Sequence, residues 1–114
     1  MSVLDLLKYN EKGLIPVVTQ DSETGTVLMQ AYAKKEQIKK TLETGTAHYF
    51  SRSRNKEWHK GETSGHYQYV EKVLVDCDND CILYIVRQEG AACHTGEFTC
   101  FYRRLDKKGE IINE

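Results

Sequence analysis

The sequence has one proline, no Cys-x2-Cys pair, no long apolar run and almost no net charge. Each shortage excludes something. Sixteen Lys and Arg against seventeen Asp and Glu leave a formal charge of -1, so no global field favours nucleic acid or an acidic membrane. No apolar stretch approaches a membrane span, and the N-terminal residues lack a signal-peptide layout. A cytoplasmic location is therefore expected. There is no internal repeat, low-complexity run or linker, and 114 residues suffice for one domain, 1–114, with one modest core. Without Cys-x2-Cys pairs, no standard structural zinc motif is present. Three aspartates alternate at Asp76, Asp78 and Asp80, but the glycine and distal glutamate of an EF-hand loop are missing.

What the chain does have is concentrated in residues 76–103. All four cysteines fall there, Cys77, Cys81, Cys93 and Cys100, with His94 directly after one of them. In a reducing compartment, clustered cysteines point to metal or catalysis before disulfides. The plain alternative is that they are small buried hydrophobes. Thiolates suit zinc, and carboxylates suit magnesium, calcium or manganese. On an extended strand, Asp76 and Asp78 point one way and Cys77 the other. Asp80 joins the acids if the extended geometry persists past Asn79. A polar turn that tolerates aspartates is the alternative. Cys77, Cys93 and Cys100 are spaced Cys-x15-Cys-x6-Cys. Three thiolates with an open position would make a catalytic zinc site, where a bound water's pKa falls to roughly 7. A closed four-cysteine site stays open as an alternative. His94 is a candidate ligand or general base.

The remaining stretches predict an α+β domain, strand-dominated, with a strongly curved sheet and one main helix. Residues 3–8 suggest a short helix. Stretches 14–20 and 26–32 form a hairpin around the 21–25 turn, with Pro16 at a strand start or edge. Residues 34–44 form a surface helix with Ile38 and Leu42 as its apolar stripe, ended by Gly45 and poorly capped at Ala33-Lys34. Stretches 46–51, 66–76, 81–88 and 98–105 read as strands. In 66–76, Tyr67, Tyr69, Val73 and Val75 share a face. In 98–105, Phe98, Cys100 and Tyr102 do. Residues 81–88 are almost continuously apolar and should be a central strand. The segment 106–114 is expected to be loosely held.

Between 51 and 61, four Lys or Arg stand against one Glu, a local +3, with Trp58 among them. Gly61 and Gly65 flank a small hydroxylated stretch and would let backbone N–H groups approach an anion. Arg52, Arg54, Lys60, Thr63 and Ser64 are thus candidates for holding a phosphate. A solvated basic hairpin is the alternative.

Several of these segments together resemble the signature of phosphoribosyl-AMP cyclohydrolase: Asp76-Cys-Asp-Asn-Asp80, Ala92-Cys-His-Thr-Gly96 and Cys100-Phe-Tyr-Arg103. Upstream, Tyr49-Phe-Ser-Arg-Ser-Arg54 and the Trp58, Lys60-Gly, Thr-Ser-Gly65 series match as well. The resemblance spans about residues 14–104. Phe50 stands where tryptophan is common, and Cys81 is extra. The resemblance implies hydrolytic opening of the adenine ring of phosphoribosyl-AMP, the third step of histidine biosynthesis. It implies zinc on Cys77, Cys93 and Cys100, magnesium on Asp76, Asp78 and Asp80, and a homodimer in which Cys77 meets the other two cysteines across the interface. With the last residue at Glu114, the stand-alone form of the enzyme is expected. Two other classes compete: a non-catalytic zinc-binding module, and a nucleic-acid-binding domain using the 52–60 stretch, against which the near-zero charge argues.

Overall fold

The computed structural model describes residues 3–113. After a 3-10 turn at Val3–Leu6, β1 (Ile15–Asp21) and β2 (Val27–Ala33) form the expected antiparallel hairpin. Gly25 takes φ 76° in its turn. Pro16 lies at the second position of β1, opposite Tyr32.

Helix α1 (Lys35–Thr44) follows, rich in Lys, Glu and Gln, all good helix formers. Gly45 ends it at φ 74°, donating its N–H to the Thr41 carbonyl at 2.9 Å. At the other end Lys34 offers no acceptor. Instead the Gln37 side chain accepts the Lys34 N–H at 2.9 Å, half of a capping box. The buried stripe is Gln37, Ile38 and Thr41, whereas Leu42 is 57% exposed. The helix thus seats its i+3 neighbour and not its i+4 neighbour. Thr41 is accepted there because its hydroxyl bonds the Gln37 carbonyl and the Tyr84 hydroxyl.

Then come β3 (His48–Ser51), β4 (Lys56–His59), β5 (Gln68–Val75), β6 (Ile82–Gln88), β7 (Arg103–Leu105) and β8 (Ile111–Asn113). The strands divide among three sheets. The main one is open and ordered β2-β1-β6-β5, with β1 and β6 parallel; β3-β4 and β7-β8 are separate pairs. The domain is strand-dominated α+β with one α-helix, as expected. Against expectation, residues 98–102 are not a strand. Thr99 and Cys100 instead make single bonds to the Val27 and Leu28 carbonyls of β2. Residues 103–105 are a strand as expected, but the segment from 106 is held more firmly than expected, since β8 pairs with β7; Glu114 lies outside the described residues.

The core lies on one face of the main sheet. Ile15, Val17, Ile82, Tyr84 and Val86 meet Ile38 of α1, Ala47 just before β3 and Tyr49 of β3. Burying polar groups there requires partners. The Tyr49 hydroxyl has Thr19 at 2.7 Å and donates to Gln68 at 2.5 Å, and Gln68 donates in turn to Gln88 at 2.9 Å. In β5 a bulge at Glu71 shifts the register between Val70 and Lys72. It changes the parity of the strand. Tyr69, opposite Arg87, therefore faces away from Val73 and Val75, which oppose the core residues Tyr84 and Ile82.

The other face of the main sheet is also apolar. Register places Pro16, Val18, Leu83, Ile85 and Leu74 on it. No further helix or strand of the described residues packs across it. That is why β6, central as predicted, reads as a continuous apolar run.

Candidate active site

The aspartates sit in the turn between β5 and β6. The ladder stops at Val75, and Asp76 folds the chain back. Its Oδ1 accepts the N–H groups of Asp80 at 2.9 Å and Cys81 at 3.2 Å. Asn79 adopts φ 64°, a left-handed conformation asparagine tolerates. The turn brings one carboxylate oxygen each from Asp76, Asp78 and Asp80 within 4.8 Å of one another. Asp80 therefore joins through a turn, not through continued extended backbone. Hydrogen bonding to Asp76, then to Asp78, pushes the Asp80 carboxyl up to about 6, while Asp76 is held below its usual value by Asp80. Among the described residues this is the only set of three or more His, Cys, Asp or Glu side chains so gathered. Hard oxygen donors crowded this closely fit a divalent cation.

Cys77 lies in the same turn and is exposed. Because the strand has already ended, alternation no longer fixes its direction. Cys81 is half-buried, its thiol 3.8 Å from the Ile82 carbonyl. Cys81→Ala is expected to leave bound zinc unchanged by metal analysis; a loss of zinc would place Cys81 among the ligands.

Cys93 and Cys100 come together elsewhere. Residues 92–98 form a tight loop, closed by Ala92 N–H to Phe98 O and Cys93 N–H to Glu97 O, both at 3.1 Å. Cys100 is pinned by its N–H to the Leu28 carbonyl at 2.7 Å. The two thiols lie close enough for each to shift the other's pKa. The Thr95 hydroxyl, 3.1 Å from the Cys93 sulfur, lowers that thiol's pKa; desolvation and then Cys93 push Cys100 up to about 11. Lys60 lies beside the pair. It is only 8% exposed, and its ammonium donates to the Ala92 carbonyl. Burial lowers its pKa, and the neighbouring cysteines Cys100 and Cys93 oppose that shift. Two soft donors with a fixed cation nearby fit part of a tetrahedral thiolate site.

A cleft of about 860 Å³ opens at Cys93. It is lined by Cys93, His94 and Lys60, by Arg54 of the β3–β4 turn, and by Thr63 and Ser64. Most of the predicted binding residues thus share one cleft. Arg52 does not: its guanidinium carbon lies over the Tyr32 ring, 3.9 Å from the centroid, in a neighbouring depression of about 570 Å³. Trp58, 38% exposed, lines both. Gly61 lines the cleft and has a steric reason to be glycine. Its φ is 92°, and a Cβ there would stand 2.6 Å from the Tyr67 backbone. Gly61→Ala should cost about 2 kcal/mol or more, read by urea unfolding; a change within 0.5 kcal/mol would contradict this.

The cleft and the aspartate turn lie at opposite ends of the main sheet. The seven residues of β6, at about 3.3 Å each, put about 20 Å between the turn before it and the loop after it.

Residues 29–102, which contain both the aspartate turn and the Cys93–Cys100 pair, match the model of the family described as phosphoribosyl-AMP cyclohydrolase. The chain belongs to the phosphoribosyl-AMP cyclohydrolase family. It is 62% identical over 108 residues to the phosphoribosyl-AMP cyclohydrolase of Methanoregula boonei, covering 95% of this chain and 86% of that one. The enzyme of the same name from Archaeoglobus fulgidus is 62% identical over 100 residues, 88% of this chain and 93% of its own. A histidine biosynthesis bifunctional protein of Thermoanaerobacter pseudethanolicus is 57% identical over 91% of this chain, which spans 48% of that longer protein. Membership makes the chain an enzyme of histidine biosynthesis. No helix among the described residues is long and apolar enough to cross a membrane.

Proposed function

We propose that this protein hydrolyses the adenine ring of 1-(5-phosphoribosyl)-AMP, opening it between the six-position carbon and the ring nitrogen that bears the second ribose. The product is the formimino-aminoimidazole-carboxamide ribonucleotide. The observation that carries this reading is a single cleft lined by Cys93, His94, Lys60 and Arg54, with Cys100 beside Cys93, in a chain of this family. Zinc, held by Cys93 and Cys100 with Cys77, would supply a Lewis acid and an activated water at neutral pH. Lys60 holds the loop that carries Cys93 and offsets thiolate charge. His94, exposed in the cleft, hands a proton to the departing ring nitrogen. Arg54 with Thr63 and Ser64 orients a substrate phosphate. Asp76, Asp78 and Asp80 hold magnesium.

Cys77 enters this site from a second copy. Within one chain it is too far away, because zinc–sulfur bonds of about 2.3 Å need sulfurs only a few ångströms apart. A two-fold axis through the apolar outer face of the main sheet exchanges the two ends of the sheet. It would bring one chain's 76–81 turn to the partner's thiol pair and cover Val18, Leu83 and Ile85 in the same step. One homodimer thus accounts for both the ligand separation and the uncovered face.

The test is direct: purified protein with phosphoribosyl-AMP, followed by ultraviolet absorbance with and without zinc. Ring opening that stops on chelation and returns with zinc is expected; no ring opening by the zinc-loaded protein contradicts the reading. Within the cleft, Arg54→Ala should raise KM several-fold at low salt and less at high salt, since the contact is an exposed charge pair. His94→Gln should lower kcat about a hundredfold or more with zinc content retained. Zinc loss that accounts for the whole defect would make His94 structural.

A further inference from the structure

His48 and His59 stand outside the chemistry above, yet they are the most closely apposed rings in the hairpin. They are directly opposed in the β3–β4 register, and their rings stack with centroids 4.1 Å apart and planes within 5°. His48 is buried and His59 half-buried. Thr46 holds both. The Nδ1 of His48 lies 2.8 Å from the Thr46 carbonyl, and the Nε2 of His59 lies 3.0 Å from the Thr46 hydroxyl. A carbonyl only accepts, so Nδ1 of His48 carries a proton and donates it. The surroundings do little to steady extra charge. On β4, Glu57 is engaged by Lys40 and Gln37 of α1, at 2.9 and 3.1 Å. Glu62, in the turn after β4, is exposed. Lys60 follows His59 and spends its ammonium on the Ala92 carbonyl. From the segment before β5, the Tyr67 ring packs on His59 at 5.6 Å. From β6, the Tyr84 hydroxyl donates to the His48 carbonyl at 3.2 Å. Among the described residues, no carboxylate forms an ion pair with either imidazole. Protons on both rings would set two like charges ring to ring in a half-dry place, which both burial and repulsion disfavour.

The stack sits at a seam. Val70 and Ala47 make the backbone bonds that join residues 45–47 to β5: Val70 N–H to the Gly45 carbonyl at 2.8 Å, and Ala47 N–H to the Gln68 carbonyl at 3.0 Å. The Lys60 N–H reaches the Ala47 carbonyl at 3.1 Å, so the same stretch carries the end of β4. The hairpin hung there presents Arg54 and Trp58 to the cleft and leads into Lys60. We infer that His48 and His59 are positioning residues that form a proton-operated latch: uncharged, they keep the β3–β4 hairpin seated on the main sheet, and protons on both rings release it. Its effect on turnover rests on the reading of the cleft as the substrate site; the opening of the seam does not. The direction agrees with the surroundings. Burial, then His48, holds His59 below the ordinary histidine value of 6.5, against weaker pulls from Glu62 and Glu57. A ring held this way takes a proton more readily once released. The latch therefore contributes fully above about pH 6.5 and is lost as the pH falls below it. Acid would then weaken substrate binding through the hairpin, apart from any proton transfer by His94.

The test is amide hydrogen exchange of Ala47 and Lys60 in zinc-loaded protein, read by NMR and corrected for the intrinsic pH dependence of exchange. From about pH 7.5 to pH 5.5 their protection should fall about tenfold or more in the unsubstituted protein. In His59→Phe, which keeps a ring in the stack but cannot charge, the fall should vanish. His48→Phe should behave alike and decides the matter if His59→Phe does not fold. The chain has four histidines, so His66→Gln and His94→Gln are the controls, and both should keep the fall. Over the same range KM for phosphoribosyl-AMP should rise about fivefold more in the unsubstituted protein than in His59→Phe, with the kcat profile shared. Comparing the proteins at each pH removes the substrate's own phosphates, which protonate near pH 6. Protection that does not change with pH, a fall that persists in the Phe variants, or one abolished by His66→Gln or His94→Gln overturns the latch. A fall that follows the predicted pattern in a protein that opens no substrate at any pH leaves the latch standing and overturns the reading of the cleft.

Discussion

Cys93→Ser and Cys100→Ser proteins should lose tightly bound zinc and turnover together, with activity down more than about a hundredfold. The size follows from what is removed. Losing a partner in the outer shell of a metal site typically costs 10–100-fold, and a direct ligand should cost more. The fold should survive, because neither cysteine belongs to the hydrophobic core. Both sit in loop segments held by backbone hydrogen bonds to Glu97 and Leu28, which serine retains. Unchanged circular dichroism with absent zinc is thus the expected pairing, measured by metal analysis on the same sample. Full turnover by a zinc-free mutant would remove the metal from the mechanism. The unsubstituted protein should carry about one zinc per site.

Much of the frame was legible because it depends on local signals. The β1–β2 hairpin announces itself through β-branched residues around a glycine-bearing turn, and α1 through its composition and Gly45. The continuous apolar run of 82–88 correctly marks a strand between two others. Errors arose where tertiary contacts override local pattern. One extra residue at Glu71 turns Tyr69 away from Val73, and no composition rule announces a bulge. Leu42 yields to Thr41 because two tyrosine and threonine hydroxyls find each other across α1 and β6. Residues 98–102 alternate like a strand, yet they touch β2 at only a few points, which leaves no ladder. The candidate site divides the same way. The clustering of cysteines and of aspartates was readable from the sequence, and Cys93 and Cys100 do come close together. The joining of Asp80 depends on a turn closed by the Asp76 carboxylate. The separation of Arg52 from Arg54 by Trp58 depends on packing between elements distant in sequence.

The second large effect concerns the sharing of the site between two chains. Cys77→Ser and Cys93→Ser proteins should each be inactive alone. In a mixed dimer one site takes both defects. The other takes Cys77 from one chain and Cys93 with Cys100 from its partner, all intact. Under equal mixing half the dimers are mixed, and each has one working site of two, so about a quarter of full activity should return. Zinc should also strengthen the dimer, because a ligand that binds only the assembled state draws the equilibrium toward it. The deciding measurement is turnover of phosphoribosyl-AMP after the two mutants are exchanged, with mixed dimers confirmed by mass. Recovery to about a quarter is what a site assembled from opposite ends of two sheets requires. Confirmed exchange with no recovered activity would contradict it.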